Sequence, residues 1–360
     1  MIGPSIDSLG GMASVLATYR DTGLFSRWPV TLLATHVEGP ILTRLSASLR
    51  AYVLFLGMLA RKRVGLVHIH SAQRTSFLRK SIFLFTARLF GCPTIFHLHG
   101  ASFDSFYAKS NSPYKAYIRK TLKSSTRIIT LSNYWTHWIR GITDHPHIVR
   151  IYNPVILRNH AGSTSQRVAP PVLLFMGRLG QRKGTYDLIR AAALLRQWQV
   201  ACSVVLCGDG EHAAAAQLVQ ELNLQNVVTL KDWVAGDEKQ RLLSVATAFV
   251  MPSYNEGFPV AILEAMAAGL AVVSTPVGGI PEAVTDESEG LLVPPGDVRG
   301  LASALRRLVE DPALSIRLGN AGLAKVSAVF EATQALEPLN QLYGSFAVTR
   351  GIRDNHDTAG

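Results

Sequence analysis

The sequence is poor in cysteine and lacks the short motifs that mark several enzyme classes. Three cysteines, Cys92, Cys202 and Cys207, occur in 360 residues, and none forms a C-x-x-C pair. We therefore expect reduced core cysteines in a disulfide-free, cytoplasmic protein. A nucleophile elbow, a Walker lysine motif, an H-E-x-x-H motif and a D-x-D motif are all missing, which argues against a hydrolase, a P-loop enzyme and metal-templated transfer. We expect no metal ion and no cofactor.

Long hydrophobic runs and a basic leader are also missing. No uninterrupted apolar run reaches the length of about 18 residues that a membrane span needs. The longest one, over 51–60, is followed directly by Arg61, Lys62 and Arg63. The first eight residues, MIGPSIDS, contain no basic residue, so we do not expect a secretory signal.

Acidic residues are scarce in the first half of the chain. Residues 1–155 contain 19 Lys and Arg but only 5 Asp and Glu, whereas residues 156–360 contain 17 and 20. This asymmetry indicates an anionic partner for the first half, either a membrane surface or a nucleic acid. We expect a protein that is peripheral on the inner face of the cytoplasmic membrane, because the chain has no aromatic-interleaved nucleic-acid motif.

What the chain does contain is two series of short apolar runs alternating with helical stretches. Such runs are typical of buried parallel strands, so the sequence predicts an α/β protein with two doubly wound Rossmann-like domains facing a cleft. We expect an N-terminal domain over 1–155, a linker over 156–171, a second domain over 172–330, and a C-terminal helix over 331–360 that packs on the first domain and ends in a frayed tail. The predicted strands are 29–35, 64–70, 93–99, 127–132, 147–152, 171–177, 201–208, 226–230, 247–253 and 270–276.

Two glutamates, Glu256 and Glu264, are the most informative chemical feature. Gly257 and Pro259 follow the first of them and suit the start of a helix, so one carboxylate lies at a loop mouth and the other on the helix wall. A helix N-terminus beside such carboxylates can hold a phosphorylated, polyhydroxylated ligand. The alternative is a helix-terminal charge and an ordinary surface glutamate.

Arg178 and Lys183 lie in the glycine-rich turn MGRLGQRKG, before another predicted helix. Two cations and a helix N-terminus suit a diphosphate. Taken without the nearby glycines and the glutamate pair, a solvated basic loop would be the better interpretation; those neighbours favour the diphosphate site.

The first half offers glycines and histidines at predicted strand ends. Gly10 and Gly11 precede a predicted helix, although only nine residues are available before them for a first strand, and taken alone they would be better explained by a plain turn. His99 stands before Gly100 at a strand end and can reach a ligand. A metal site formed by the pairs His68/His70 and His97/His99 is disfavoured because no cysteine or carboxylate cluster accompanies them, so the other three histidines are expected in the core.

These segments resemble a known family. GRLGQRKG, LCGDGEH, PSYNEGFPVAILEAMAAG and STPVGGIPE, with fainter matches at LGGMASV and HLHG, are similar to the retaining glycosyltransferases of family 4, which include bacterial polysaccharide and lipopolysaccharide sugar transferases. The resemblance is strongest over 171–295. It implies the two-domain GT-B fold and transfer of a hexose from a UDP- or GDP-sugar to a hydroxyl of a glycan or polyprenyl-diphosphate-linked acceptor.

The resemblance also implies roles for individual residues. Arg178 and Lys183 would neutralise the donor diphosphate, Glu264 would bind the ribose, and His99 would lie near the reaction centre. The remaining implied donor contacts are Glu256 with the amides of Gly257 and Phe258 for the sugar, Gly10 and Gly11 for the diphosphate, and Asp209 with the stretch near Trp233 for the base. Departures from the family pattern are Pro259, which removes an amide from the sugar-binding turn, and KDWV over 231–234, where the family often has glycine before the aromatic residue.

Two basic segments of the first half could face an acceptor or a membrane. The segment 46–63 combines an apolar stretch with basic ends and is interpreted either as an interfacial helix or as a buried helix. The segment 71–80 offers Arg74, Arg79 and Lys80 to an acceptor phosphate or anionic lipid, or forms a solvated face. Rival functions are another GT-B enzyme, such as a nucleotide-sugar epimerase or a sugar-phosphate-using synthase, and a polyanion-binding protein without catalytic activity.

Overall fold

The computed structural model describes residues 1–158 and 170–350. The chain divides into two compact units, here called unit 1 (Met1–Pro154 with Ala332–Gly360) and unit 2 (Val155–Glu331). Most of the predicted linker and the predicted frayed tail, residues 159–169 and 351–360, lie outside the described residues.

Unit 1 is built on a six-stranded parallel sheet. The strands are β1 (Ile2–Gly3), β2 (Leu33–Ala34), β3 (Val67–Ser71), β4 (Thr94–Leu98), β5 (Arg127–Thr130) and β6 (Ile148–Arg150). Their order across the sheet is β2-β1-β3-β4-β5-β6, and every neighbouring pair is parallel. Its helices are α1 (Gly11–Asp21), α2 (Leu24–Arg27), α3 (Ile41–Ala60), α4 (Thr75–Leu89), α5 (Phe103–Lys109), α6 (Ser112–Ser124), α7 (Asn133–Arg140), α15 (Ala332–Ala335) and α16 (Glu337–Arg350).

Unit 2 contains a second six-stranded parallel sheet. Its strands are β7 (Val172–Met176), β8 (Ser203–Cys207), β9 (Val228–Lys231), β10 (Ala248–Met251), β11 (Ala271–Ser274) and β12 (Gly290–Leu292), in the order β12-β11-β10-β7-β8-β9. The connecting helices are α8 (Thr185–Gln197), α9 (His212–Glu221), α10 (Gly236–Val245), α11 (Val260–Ala267), α12 (Ile280–Ala283), α13 (Val298–Glu310) and α14 (Pro312–Lys325), with a 3₁₀ turn over Gln181–Lys183 and a π-helical turn over Val326–Phe330.

The ten predicted strands are all present, and two further short strands were not predicted. Strand β1 has only two residues, because the chain reaches the loop before Gly10 almost at once, yet Ile2 pairs with both Leu33 and Ile69. Strand β12 was missed because its three residues are too few for a pattern. The three cysteines are buried and free, as predicted.

Helix α3 differs most from the expectation. It begins at Ile41, ten residues before the apolar run, and its 20 residues make it long and apolar enough to cross a membrane by length and composition alone. The expectation that no segment reaches this length was wrong because Thr43, Arg44 and Ser46 interrupt the run without ending the helix. Only Ala51, Phe55 and Leu59 of α3 are buried in unit 1, so the interpretation as a buried helix is also wrong.

The C-terminal segment returns to unit 1. Helix α16 begins one residue after Leu336, and Pro338 occupies its first turn, where a missing amide costs little. Trp28 Nε1 donates to Asn340 Oδ1 at 3.0 Å, and the Tyr343 ring packs edge-on against Trp28. These contacts make α16 part of the unit 1 core.

Candidate active site

The order of the strands in unit 2 brings the predicted charged residues together. Strands β7 and β10 are parallel neighbours, so their carboxyl ends lie at the same edge of the sheet. Arg178 follows β7 within two residues, and Glu256 lies five residues after β10. The predicted position of both residues beyond strand ends is therefore observed.

Two glycines allow the loops at this edge to pack closely. Gly184 has φ +70°, and a Cβ there would lie 2.0 Å from the carbonyl oxygen of Pro252. Gly278 has φ +56°, and a Cβ there would lie 1.9 Å from the carbonyl oxygen of Glu256. Any other side chain at either position would collide with backbone, so glycine is required to hold the Glu256 loop against its neighbours.

Glu256 is the centre of a buried polar cluster. The residue is 4% exposed, and Lys183 Nζ donates to its Oε1 at 2.5 Å. Ser253 Oγ donates to the same oxygen at 2.9 Å, and Arg182 Nη1 lies 3.9 Å from it. A buried carboxylate held by an ammonium and a hydroxyl has a fixed orientation, which a binding site requires.

Glu264 lies on α11 and has a cation of its own. Lys239 Nζ, from α10, donates to Glu264 Oε1 at 2.6 Å. Both side chains are about one-quarter exposed, so the other carboxylate oxygen can accept from a ligand. Helix α11 begins at Val260, which places Pro259 just before the helix and not in its first turn as predicted.

Arg178 is the exposed member of the set. Its side chain is 70% exposed, and Nη1 lies 3.0 Å from Asp209 Oδ2, just beyond the end of β8. An exposed pair of this kind contributes about 0–1 kcal/mol, so Arg178 can leave Asp209 for a bound anion at little cost. Trp233, predicted near the base, follows β9 and is half-buried.

The turn after Glu256 is held from two sides. Gly279 N donates to the carbonyl oxygen of Gly257 at 2.9 Å. Phe258 is buried, with its ring 5.3 Å from the ring of Phe330. The Phe258 side chain thus anchors the turn in the core of unit 2, and any ligand contact there falls to the backbone, as the resemblance implied.

In unit 1, the predicted residues also follow strand ends. Gly10 has φ +114° and precedes α1, which begins at Gly11. His99 follows β4, its Nε2 lies 2.9 Å from His70 Nδ1, and its amide donates to Ser71 O at 2.8 Å. Burial and the charge of Lys80 lower the pKa of His99 to about 3, so its imidazole is neutral.

His99 is one of four stacked histidines. His68, His70 and His97 are buried, as expected, and burial holds the pKa of each well below its ordinary value. His68 lies 2.5 Å from the Tyr343 hydroxyl and 3.2 Å from His97 Nδ1, so both of its ring nitrogens have partners. The ligand atoms of these three residues lie within 4.8 Å of one another, but no carboxylate or cysteine joins that group within residues 1–158 and 170–350.

The predicted basic residues of unit 1 fall into two environments. Arg61, Lys62, Arg63 and Arg74 are exposed, whereas Arg79 is half-buried. Lys80 is 2% exposed, with Nζ 2.5 Å from Thr35 Oγ1. The interpretation of 71–80 as a solvated face is therefore wrong for Lys80, because α4 directs this side chain into the interior of unit 1.

Sequence reasoning missed three residues of the unit 2 cluster, namely Arg182, Ser253 and Lys239. Arg182 donates to the Asn255 carbonyl at 3.2 Å. It could have been predicted, because it is adjacent to the predicted site residue Lys183. Ser253 lies three residues before Glu256. Lys239 stands in an ordinary charged helix and carries no signal in the sequence, since only the tertiary fold brings it to Glu264.

Comparison with known proteins identifies two family models along the chain. The model "Glycosyltransferase Family 4" matches residues 11–159, and the model "Glycosyl transferases group 1" matches residues 170–311. The first match lies mostly in unit 1, and the second lies within unit 2.

Three curated relatives share about one-third of their aligned residues with this chain. Glycogen synthase of Mycobacterium tuberculosis is 32% identical over 190 residues, covering 52% of this chain and 45% of the relative. D-inositol 3-phosphate glycosyltransferase of Corynebacterium diphtheriae is 33% identical over 210 residues (56% and 49%), and the amylovoran biosynthesis glycosyltransferase AmsK of Erwinia amylovora is 33% identical over 180 residues (48% and 44%). The chain spans about half the length of the curated relatives it matches.

Solved structures share the fold along nearly the whole chain. Sucrose-phosphate synthase from Thermosynechococcus elongatus has a TM-score of 0.80 at 22% identity and covers 97% of this chain and 96% of its own. HepE from Anabaena, solved in complex with UDP-glucose, has a TM-score of 0.74 at 20% identity and covers 96% and 98%. With the two family models and the two parallel six-stranded sheets, these matches show that the chain belongs to glycosyltransferase family 4 and has the GT-B fold.

Proposed function

We propose that this protein is a retaining hexosyltransferase. It moves a hexose from a UDP- or GDP-sugar to a hydroxyl of a glycan or lipid-linked acceptor in cell-surface polysaccharide biosynthesis. The observation that carries the proposal is the buried Glu256, which Lys183 Nζ contacts at 2.5 Å beside the carboxyl ends of β7 and β10. The UDP-glucose in HepE and the amylovoran role of AmsK support the donor and the pathway.

The donor is assigned to unit 2. Glu264 accepts from the ribose hydroxyls through the carboxylate oxygen that Lys239 leaves available. Arg178 and Lys183 neutralise the diphosphate, and Glu256 with the backbone at Gly257 and Phe258 holds the sugar. Arg178 can do so because its own side chain is 70% exposed, so that leaving its present partner Asp209 costs little.

The transfer follows from this charge arrangement. The bond between the anomeric carbon and the diphosphate oxygen breaks, and the negative charge that develops on the nucleoside diphosphate is stabilised by Arg178 and Lys183. The acceptor hydroxyl oxygen forms the new bond on the face that the diphosphate leaves, and its proton passes to the departing phosphate oxygen. The cations carry the charge, so no metal ion is required. His99 is assigned near the donor sugar and the reaction centre, as the resemblance implies.

The acceptor and the membrane are assigned to unit 1. The outer face of α3 exposes large apolar side chains, including Leu42 at 76%, Leu49 at 65% and Val53 at 59%. Arg61, Lys62 and Arg63 follow the helix and are exposed. An apolar face with adjoining cations suits a helix that lies in the interface of an anionic membrane, where a lipid-linked acceptor is available.

A donor screen tests the central assignment. Purified protein is mixed with UDP-glucose, UDP-galactose, UDP-N-acetylglucosamine, GDP-mannose and the free nucleotides, and the melting temperature is measured. One nucleotide series should raise it, and Glu264→Gln should abolish the increase. Glu310→Gln is the matched control, since Glu310 is exposed at the end of α13, and it should respond like the wild type.

Product analysis distinguishes the rival enzymes. With the selected donor and a lipid-linked glycan acceptor, NMR of the product should show the donor's anomeric configuration. A donor converted without any acceptor would favour an epimerase instead. A folded sample that no nucleotide stabilises would contradict the proposal.

A further inference from the structure

Unit 1 contains a cavity of about 620 Å³ whose lining includes four basic side chains, the hydroxyl residues Thr75 and Ser76, and the glycines Gly10 and Gly11. It lies among the first turns of α1, α3 and α4 and the residues after β2. We call it the cationic pocket and define it by four of its lining residues: His36, Arg44, Arg79 and Lys80. No acidic side chain lines it; Glu38, which lies near His36 and is exposed, is outside the lining.

The cations of this pocket have no counter-ion. Lys80 is buried and uses one of its three N–H donors on Thr35 Oγ1. Arg79 Nε is buried and has no hydrogen-bond partner. Among residues 1–158 and 170–350, no carboxylate forms an ion pair with Arg44, Arg79 or Lys80.

A buried cation without an anion is costly. Burial and the adjacent Arg79 lower the pKa of Lys80 well below its ordinary value, which favours its neutral amine in the empty pocket, whereas Arg79 stays charged and is half-buried. A bound anion would favour the protonated form of Lys80. A phosphate entering the pocket would meet both side chains and the N-terminal amides of α4, which favour an anion. The charges therefore specify a ligand that carries phosphate.

The opposite wall of the same pocket is apolar and leads outside. Ile41 and Leu45 line the cavity and are 67% and 60% exposed, and Leu42 and Leu49 continue the apolar surface along α3. A free inorganic phosphate would leave this wall in contact with water. A phosphate that carries a hydrocarbon chain would cover it, so the two walls together match an amphiphile.

We propose that the cationic pocket binds the phosphate of an alkyl or prenyl phosphate, whose hydrocarbon chain leaves over Ile41 and Leu45 along α3. This inference deepens the proposed function and rests on it in one respect, namely that the bound lipid phosphate is the attachment point of the acceptor. It adds His36 and Arg44, which the sequence did not indicate, and it gives Lys80 a role inside a pocket instead of on a surface.

Calorimetric titration of the full chain with octyl phosphate and with inorganic phosphate tests the pocket. Octyl phosphate should bind at least tenfold more tightly than inorganic phosphate. Arg79→Gln and Arg44→Gln should each weaken octyl phosphate about tenfold or more, whereas Arg50→Gln, on the same helix but outside the pocket, should not. Leu45→Ser should weaken octyl phosphate and leave inorganic phosphate unchanged, with Leu54→Ser as its control, since Leu54 is an exposed apolar residue of α3 outside the pocket lining.

Three outcomes would overturn the inference. Equal affinity of the wild type and the Arg44→Gln and Arg79→Gln variants would place the phosphate elsewhere. Equal affinity for the two ligands would exclude the hydrocarbon chain. An equal loss of octyl phosphate affinity in Arg50→Gln would mean that the substitutions act through net charge and not through the pocket. Because Arg44 is exposed, the Arg44→Gln variant should fold and remains informative if Arg79→Gln does not.

The donor screen separates this inference from the proposed function. If nucleotide sugars stabilise the protein but octyl phosphate does not bind, the pocket inference fails alone. If octyl phosphate binds through Arg44 and Arg79 but no nucleotide sugar does, the pocket stands and the transferase proposal fails. Arg79→Gln should keep the wild-type response to the nucleotide sugar, since the donor is assigned to unit 2.

Discussion

The two units treat their charged and ionisable side chains in opposite ways. In unit 2, the predicted site residues are paired: Glu256 with Lys183, Glu264 with Lys239, and Asp209 with Arg178. In unit 1, Lys80 and Arg79 have no carboxylate partner among the described residues, and four histidines stack without an acid between them.

The difference indicates that unit 2 has a site whose geometry is fixed before a ligand binds, and that unit 1 has a basic pocket that an anionic ligand would stabilise. Paired ions fix the geometry of a site before the ligand arrives, and each pair can exchange its partner for a ligand group. Unpaired cations instead raise the free energy of the empty state, which an anionic ligand relieves. Arg44, Arg79 and Lys80 are three of the 19 Lys and Arg residues in 1–155, a segment with only 5 Asp and Glu.

The largest difference between the units is expected in acid. The pKa values of the buried His68, His70 and His97 are well below their ordinary value, and that of His99 is about 3, with burial as the main cause. Unfolding restores a pKa of about 6.5, so below pH 6.5 the unfolded state binds more protons. Stability is fully present above that pH and is lost toward pH 3, by about 1.4 kcal/mol per pH unit for each histidine.

Hydrogen exchange at pH 7.5 and pH 5.0, corrected for intrinsic rates, measures this loss. Peptides over β3 and β4 should lose protection, whereas peptides over β7 and β10 should change much less. His97→Leu should make the pH dependence of unfolding by urea less steep, and the exposed control His147→Gln should not. Equal loss of protection in both units would contradict the contrast between them.

The next effect concerns the paired ions of unit 2. Lys183→Met should lower turnover of the selected donor about 10²–10³-fold, because it removes a cation from the developing diphosphate charge. It also leaves Glu256 buried without its ammonium, which should reduce the free energy of unfolding by about 3–5 kcal/mol. Steady-state transfer assays and urea unfolding measure the two quantities.

A second substitution separates the two effects. In the double variant Lys183→Met/Glu256→Gln no charge is left unpaired, so stability should largely return while turnover stays low. Lys231→Met is the surface control, since its pair with Glu238 is about 40% exposed and should contribute at most about 1 kcal/mol. A Lys183→Met enzyme with normal turnover at saturating donor would remove the role assigned to this residue.

A smaller effect is expected at the exposed pair. Arg178→Ala should reduce turnover about tenfold and change the free energy of unfolding by less than about 1 kcal/mol, because its side chain is 70% exposed. Asp209→Asn should leave turnover at saturating donor nearly normal, since it frees Arg178 for the ligand, and should weaken donor binding if Asp209 contacts the base as the resemblance implies. If both variants lost turnover equally, the Asp209 pair itself would be the functional element.

The same contrast explains what the sequence could predict. The ten predicted strands follow from continuous apolar runs, because a buried parallel strand must be apolar on both faces. Glu256, Arg178 and Lys183 follow from their positions after such strands. Lys239, the partner of Glu264, and Arg44, a residue of the cationic pocket, could not be predicted, because tertiary packing alone decides which face of their helices meets the site. Lys80 was predicted at the surface because a lysine with no acidic neighbour is normally solvated.

The smallest effect is expected when metal ions are removed, and this treatment decides whether either unit depends on a metal ion. The described residues offer one histidine group that could hold an ion, His68, His70 and His97, but Tyr343 and His97 already occupy both ring nitrogens of His68. In the proposed function, Arg178 and Lys183 of unit 2 supply the positive charge that a metal would otherwise bring to a diphosphate. EDTA followed by desalting should therefore change neither turnover nor the free energy of unfolding. Loss of turnover alone, restored by Mg²⁺ or Mn²⁺, would show that these cations do not suffice. Loss of stability that Zn²⁺ restores, and that is absent in His97→Leu, would instead make the unit 1 histidines ligands.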